Sequence, residues 1–107
     1  MSEIKRALKI NRLLDIYGRL LTKQQYEIMS DYYYCDLSLS EISELRKISR
    51  TAVSDAIKTS TKKLEKFEKC IGICSIFDKN RNSDTAVIID KIEEDLKNGI
   101  WVFNRKI

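Results

Sequence analysis

Arg50, Thr51, Ser54, Asp55 and Lys58 lie at the start of a run, continuing to Leu64, whose apolar residues recur at helical spacing. Those side chains can do recognition chemistry. An arginine grips a guanine edge with two parallel N–H donors, threonine and serine hydroxyls donate or accept, and an aspartate accepts from a cytosine amine. Lys62, Lys63 and Lys66 follow along the same run and suit phosphates, each such contact adding about 0.9 to the salt slope of binding. Arg46, Lys47 and Ser49 immediately precede the run and complete the candidate nucleic-acid-binding set. Asp55 is the awkward member. It repels a phosphate backbone, and an ion pair with Lys58 or Lys62 is its favoured use.

Two short helices and a tight turn are needed to present these residues. Leu37-Ser38-Leu39-Ser40-Glu41-Ile42 is a complete helix-start signature: Ser38 caps, Glu41 reaches back, and Leu37 packs on Ile42. Ile48-Ser49-Arg50-Thr51-Ala52-Val53 repeats the serine cap and the apolar staple, with Ala52 where a Glu or Gln would close the box. Helices therefore start after Ser38 and Ser49, the first ending near Arg46, with Ile42, Leu45, Ile48, Val53 and Ile57 holding the pair together. From Ser38 to Leu64 this is the pattern of a helix-turn-helix, whose second helix enters the DNA major groove by its N-terminal residues. Val53, Ile57, Thr61, Leu64 and Phe67 or Ile71 extend that helix to about Cys70, so its far end must pack on something.

Ahead of the motif, Ile4, Leu8, Asn11, Leu14, Tyr17 and Leu21, widened by Leu13 and Leu20, mark a first helix of about five turns that Gly18 only weakens. Thr22 caps a second helix, with Gln25 closing the box and Leu21 stapling onto Tyr26. That helix runs to about Tyr34. Its Tyr26, Met29 and Tyr33 share one side with Ile28 and Tyr32 beside them, and Tyr32 to Tyr34 read as core packing with an exposed hydroxyl rather than base stacking. Beyond Gly72, Asp78 to Asp84 reads as a polar loop. One further helix follows on Ala86, Ile89, Ile92, Glu93 and Leu96, with acidic residues on its other side, Gly99 as its C-terminal cap, and a closing apolar cluster, Ile100 to Phe103.

The expected fold is all-α, a helical bundle with a long recognition helix and an extra C-terminal helix. Residues 1–71 form the helix-turn-helix domain, and residues 72–107 form an extension packed on it or making an interface. At 107 residues, 43% apolar and 34% charged, the chain suits one small soluble domain. No apolar run approaches the roughly 20 residues that span a bilayer, and the N-terminal segment lacks a secretion core, so no membrane insertion and a cytoplasmic location are expected. Cys35, Cys70 and Cys74 are too sparse for a disulfide framework. With no histidine and no CxxC pair, small apolar filler is a better reading of them than a metal site, and no cofactor is expected. Catalysis is disfavoured as well, since there is no ready general base, no glycine-rich phosphate loop, and Glu93-Glu94 falls on an exposed side.

Charge is partitioned along the chain. Residues 46–69 carry eight lysines and arginines against three acidic residues, whereas residues 24–45 carry five acidic residues and no cation. A basic segment coincident with the proposed recognition helix is the footprint of a phosphate-facing surface; the plainer alternative is a solvated helix face.

Residues 12–67 resemble the YlxM family of small bacterial helix-turn-helix proteins, whose fold is similar to region four of bacterial sigma factors. Leu21-Thr22, Gln25, Tyr32-Tyr33, Leu37-Ser38, Glu41-Ile42, Ser49-Arg50, Ala52-Val53, Asp55 and Ile57 fall in register and carry the resemblance. It implies a link to the signal recognition particle, because the family's genes commonly lie beside that of the particle's protein subunit, and it implies a regulatory role. The chain departs from the common helix-turn-helix pattern at Ser43, where a small alanine is usual, and at Lys47, where glycine is common. If Lys47 is left-handed, it costs on the order of 1 kcal/mol. Residues 72–107 take no part in the resemblance.

Double-stranded DNA is thus the leading expected partner of a non-enzymatic regulator, with a possible homodimer through the first helix or the C-terminal segment supplying two half-sites. An accessory protein of the secretion pathway, touching the particle's RNA or protein, is the alternative. That reading needs shape or protein contacts, because an RNA major groove does not admit the helix. A structural adaptor using the Trp101 cluster is the third.

Overall fold

The computed structural model describes residues 2–98, and the expected Gly99 cap and Ile100–Phe103 cluster lie outside them. Six α-helices follow one another: α1 Glu3–Tyr17, α2 Lys23–Tyr33, α3 Leu39–Arg46, α4 Arg50–Ile71, α5 Ile73–Asn80 and α6 Ala86–Asn98. No strand occurs among the described residues, so the chain is all-α.

Local chemistry sets the helix starts. Thr22 and Ser38 each accept from the backbone N–H three residues on, while the side chains of Gln25 and Glu41 accept from the cap's own N–H, so both capping boxes are complete. Ser49 accepts from Ala52 N–H at 3.0 Å without the reciprocal bond. Each cap satisfies donors that the first helical turn cannot, an effect worth about 1 kcal/mol.

α1 ends earlier than the expected five turns, at Tyr17, and a short 3₁₀ turn, Gly18–Leu20, follows. Gly18 does more than weaken a helix. A Cβ there would stand 2.7 Å from the Tyr26 ring and 3.2 Å from Leu14, so only glycine allows α2 to approach this closely. The expected stripe on α1 is corrected too: Ile4 and Leu8 are 75% and 64% exposed and Leu20 is also exposed, while Ile10, Leu13, Leu14, Ile16 and Tyr17 are buried. The buried set is the one facing α4 and α6, which pack on α1.

Two apolar clusters meet at Ile57. The larger joins α1 to Leu21, Met29, Leu64 and Cys74, with Phe67, Phe77 and Leu96 packed against it. In the smaller, Ile28, Ile42 and Val53 bind α2, α3 and α4. Each fully buried aliphatic side chain contributes about 1.5–3 kcal/mol relative to exposure.

The segment after Gly72 departs most from expectation. Asp78 to Asn80 are helical, not loop, because α5 occupies Ile73–Asn80 and the turn is confined to 81–85. Gly72, at φ 72°, ends α4 and starts α5 without a capping side chain. The orphan donors are met from elsewhere: Ile73 N–H donates to the Tyr17 hydroxyl at 2.9 Å, and Cys74 and Ser75 N–H donate to the Glu68 carboxylate at 3.0 and 3.2 Å. The Tyr17 hydroxyl itself donates to Glu68 at 2.6 Å, closing the network.

Arg12 ties α1 to both later helices. Its guanidinium donates to Asp78 on α5 at 3.0 and 3.1 Å and to Glu93 on α6 at 2.8 and 3.0 Å. Glu93 is therefore an ion-pair partner on the packed side of α6, not an exposed carboxylate, whereas Ile92 is exposed. Only Cys74 acts as core filler. Cys35 and Cys70 are exposed. Of the three tyrosines, Tyr33 packs on the core and Tyr32 meets it edge-on at 5.0 Å, while the Tyr34 hydroxyl donates to Asp15 rather than standing in solvent. No described helix is long and apolar enough to cross a membrane.

Candidate nucleic-acid interface

The turn between α3 and α4 is built by Lys47 in the left-handed region, φ 57° and ψ 44°. Lys47 and Ile48 N–H both donate to the Ser43 carbonyl, the latter at 3.1 Å, which satisfies the end of α3 and swings the chain toward Ser49. Glycine would take this geometry without strain; lysine takes it at roughly 1–2 kcal/mol. Ile48 then packs on Ile42 and Val53, so the turn is pinned to the smaller core. Leu45 takes no part in this joint. It is 58% exposed, because the eight-residue α3 turns only Ile42 fully inward.

α4 buries Val53, Ser60, Thr61 and Leu64 along one face. The opposite face follows from helical spacing and carries Thr51, Asp55, Lys58, Lys62, Lys66 and Lys69, all exposed. Arg50, Thr51 and Ser49 open the helix in solvent, and Ser54 is half-buried at the margin. Among the described residues, Arg50, Lys58 and Lys62 have no carboxylate within ion-pair distance. Asp55 is likewise without the expected partner: no ion pair joins it to Lys58 or Lys62. It borders a groove of about 400 Å³ with Gln24, Gln25, Ala52 and Thr59.

Two expected members are occupied within the fold. Arg46 donates to Asp31 from Nε at 2.8 Å and Nη2 at 3.0 Å, and to Glu27 from Nη1 at 2.8 Å. Two parallel hydrogen bonds to the buried Asp31 make the pair part of the α2–α3 joint, and the bond to Asp31 raises the guanidinium pKa above its ordinary value. Lys63 is half-buried and donates to Gln25 at 3.1 Å, a bond between α4 and the N-terminus of α2. What remains outward is Lys47, Ser49, Arg50, Thr51, Asp55, Lys58 and Lys62, with Ser54 beside them.

Gln24 and Thr59, outside the expected set, line the groove beside Asp55. Their signal was available: Gln24 sits in the first turn after the Thr22 cap, and Thr59 lies four residues beyond Asp55 on one helix face.

The candidate surface lies wholly within a recognisable family pattern. The sequence model of the UPF0122 family, helix-turn-helix proteins described as YlxM / p13 like, matches residues 4–100. A UPF0122 protein of Pediococcus pentosaceus is 43% identical over 96 residues, spanning 87% of this chain and 85% of that protein. One of Clostridium perfringens, strain SM101, is 35% identical over 94 residues, spanning 83% of this chain and 84% of that protein. One of Malacoplasma penetrans is 52% identical over 60 residues, just over half of either chain at 56%.

Proposed function

The chain belongs to the UPF0122 family of YlxM / p13-like helix-turn-helix proteins, and from that membership we propose that it is a non-enzymatic regulator that binds double-stranded DNA through the first turns of α4. One observation carries the reading. Thr51, Lys58 and Lys62 are exposed on the outward face of a helix whose start is held by Ser49 and by the left-handed Lys47, and Arg50 is exposed in its first turn. In this reading Arg50, Thr51 and Ser54 meet base edges. Lys58 and Lys62 lie about 12 and 18 Å along the helix from Arg50, at 1.5 Å per residue. The shorter span matches a major groove about 12 Å wide and the longer one passes its edge, so base contacts and phosphate contacts fall on one helix.

Arg46 stays outside the contact set, because Asp31 and Glu27 hold its guanidinium, and Lys63, half-buried and bonded to Gln25, is at most a marginal phosphate contact. Asp55 acts by exclusion. An unpaired carboxylate on the groove-facing side disfavours phosphate and favours a base pair that presents a cytosine amine.

The setting proposed for this activity is the signal recognition particle pathway, and it rests on the family resemblance alone. Fluorescence anisotropy with a mixed-sequence labelled duplex at 50–200 mM salt tests the function. Binding that weakens steeply with salt supports it, and absence of binding at 50 mM salt together with retention of the particle's RNA would transfer the activity to RNA.

A further inference from the structure

Outside the recognition turns, three cations from two helices meet at one depression. Arg6 of α1 lines a groove of about 230 Å³ with Tyr33, Ile57, Lys58, Thr61, Lys62 and Glu65. Arg6, Lys58 and Lys62 are exposed, and no ion pair engages any of them among the described residues. Glu65 is the one acidic member. It faces Lys9 at 4.0 Å, and the three cations outnumber it at the rim.

The two helices run in the same sense. Arg6 stands beside Lys58 and Lys62, Lys9 beside Glu65, and Tyr17 beside Glu68, so moving along α1 moves along α4 toward its C-terminus. The N-terminal turn of α1 therefore points to the end of the molecule where α4 begins. Lys58 and Lys62 belong both to the outward face of α4 and to this groove, so a duplex seated on that face reaches the groove's rim. The chemistry there suits a phosphodiester, since arginine offers a planar fork to two phosphate oxygens and two lysines add point charge.

We propose that Arg6, with Lys58 and Lys62, forms a cradle for a backbone phosphate of double-stranded DNA flanking the base pairs met by the first turns of α4. The inference rests on the DNA-binding reading above and extends its footprint from one helix to two. Tyr33 lines the groove as a neutral group, and burial pushes its hydroxyl above the ordinary value of 10.0.

Anisotropy of the full chain on a labelled mixed-sequence DNA duplex, titrated between 50 and 200 mM salt, tests the cradle with Arg6→Gln, Arg6→Lys and Arg50→Ala. One lost phosphate contact lowers the log–log salt slope by about 0.9, equivalent to about threefold in affinity across that fourfold salt range. Arg6→Gln is expected to lose that slope and Arg6→Lys to keep it, with unchanged thermal melts, because no ion pair holds Arg6. If the wild type binds and Arg50→Ala weakens it while Arg6→Gln keeps the full slope, the cradle is wrong and the DNA-binding reading stands. If the wild type does not bind the duplex at 50 mM salt, both fall. A slope lost only on an RNA duplex of the same sequence would also overturn the DNA cradle.

Discussion

Arg46 closes on Asp31 through two parallel hydrogen bonds, Nε to Oδ2 at 2.8 Å and Nη2 to Oδ1 at 3.0 Å. Asp31 is 6% exposed, so the arginine at the end of α3 serves as the counter-ion of a buried carboxylate on α2. By charge and position it belonged to the DNA-facing set. Its geometry gives it to the scaffold. Arg46→Ala leaves Asp31 buried and unpaired, and urea melts should register a loss on the order of 2 kcal/mol. The salt slope of duplex binding, measured where the variant is folded, should match the wild type. A slope lowered by about 0.9 with stability intact would return Arg46 to the interface.

Lys47 carries backbone strain at φ 57°, and Lys47→Gly should relieve it. Glycine also loses more freedom on folding, so the net gain is roughly 0.5–1 kcal/mol. Thermal melts should show a higher midpoint, with weaker DNA binding from the lost charge. A lower midpoint would mean that the lysine stem contributes more than the strain costs.

Glu68 answers the free N–H groups of α5. Burial alone would raise its carboxyl pKa, but the Tyr17 hydroxyl and the Cys74 and Ser75 N–H groups outweigh it and hold the group below its ordinary 4.5. A carboxylate depressed in the folded state stabilises above its unfolded value and loses that contribution as pH falls through the folded one. Wild-type stability should accordingly drop as pH falls below about 4.5. Glu68→Gln should cost about 1–2 kcal/mol at neutral pH and show a shallower acid decline. Chemical denaturation from about pH 3 to about pH 7, which brackets the ordinary carboxylate range, measures both. Parallel acid declines for the two proteins would remove Glu68 from the account.

Gly18→Ala should destabilise by about 1–3 kcal/mol, because its Cβ would meet the Tyr26 ring at 2.7 Å. Arg19 lies over that ring at 4.9 Å, which limits how the ring can yield. A neutral melt would show that the ring moves freely.

What the sequence made legible were features encoded within a few residues. Thr22–Gln25, Ser38–Glu41 and Ser49 declared their helix starts because a cap and its partner lie three residues apart, and Lys47 announced the turn by standing where glycine is common. Features that depend on distant partners were hidden. α5 lacks a local cap and is completed by Tyr17, 56 residues from Ile73, so its Asp78–Asn80 end read as loop. Arg46 and Asp31 are separated by 15 residues and by a turn, and no spacing rule within a helix joins them. Ile4 and Leu8 fitted a helical stripe, but which side of α1 is buried depends on where α4 and α6 pack.

The central claim is that α4 enters duplex DNA by its first turns, and the most direct measurement compares Arg50→Ala with the wild type across a panel of duplexes varied one base pair at a time. If Arg50 reads a base, the variant should lose about 1–3 kcal/mol on the preferred duplex and discriminate less at one position while keeping its preferences elsewhere. Equal binding of all duplexes by the wild type, or an unchanged pattern in Arg50→Ala, would contradict the account.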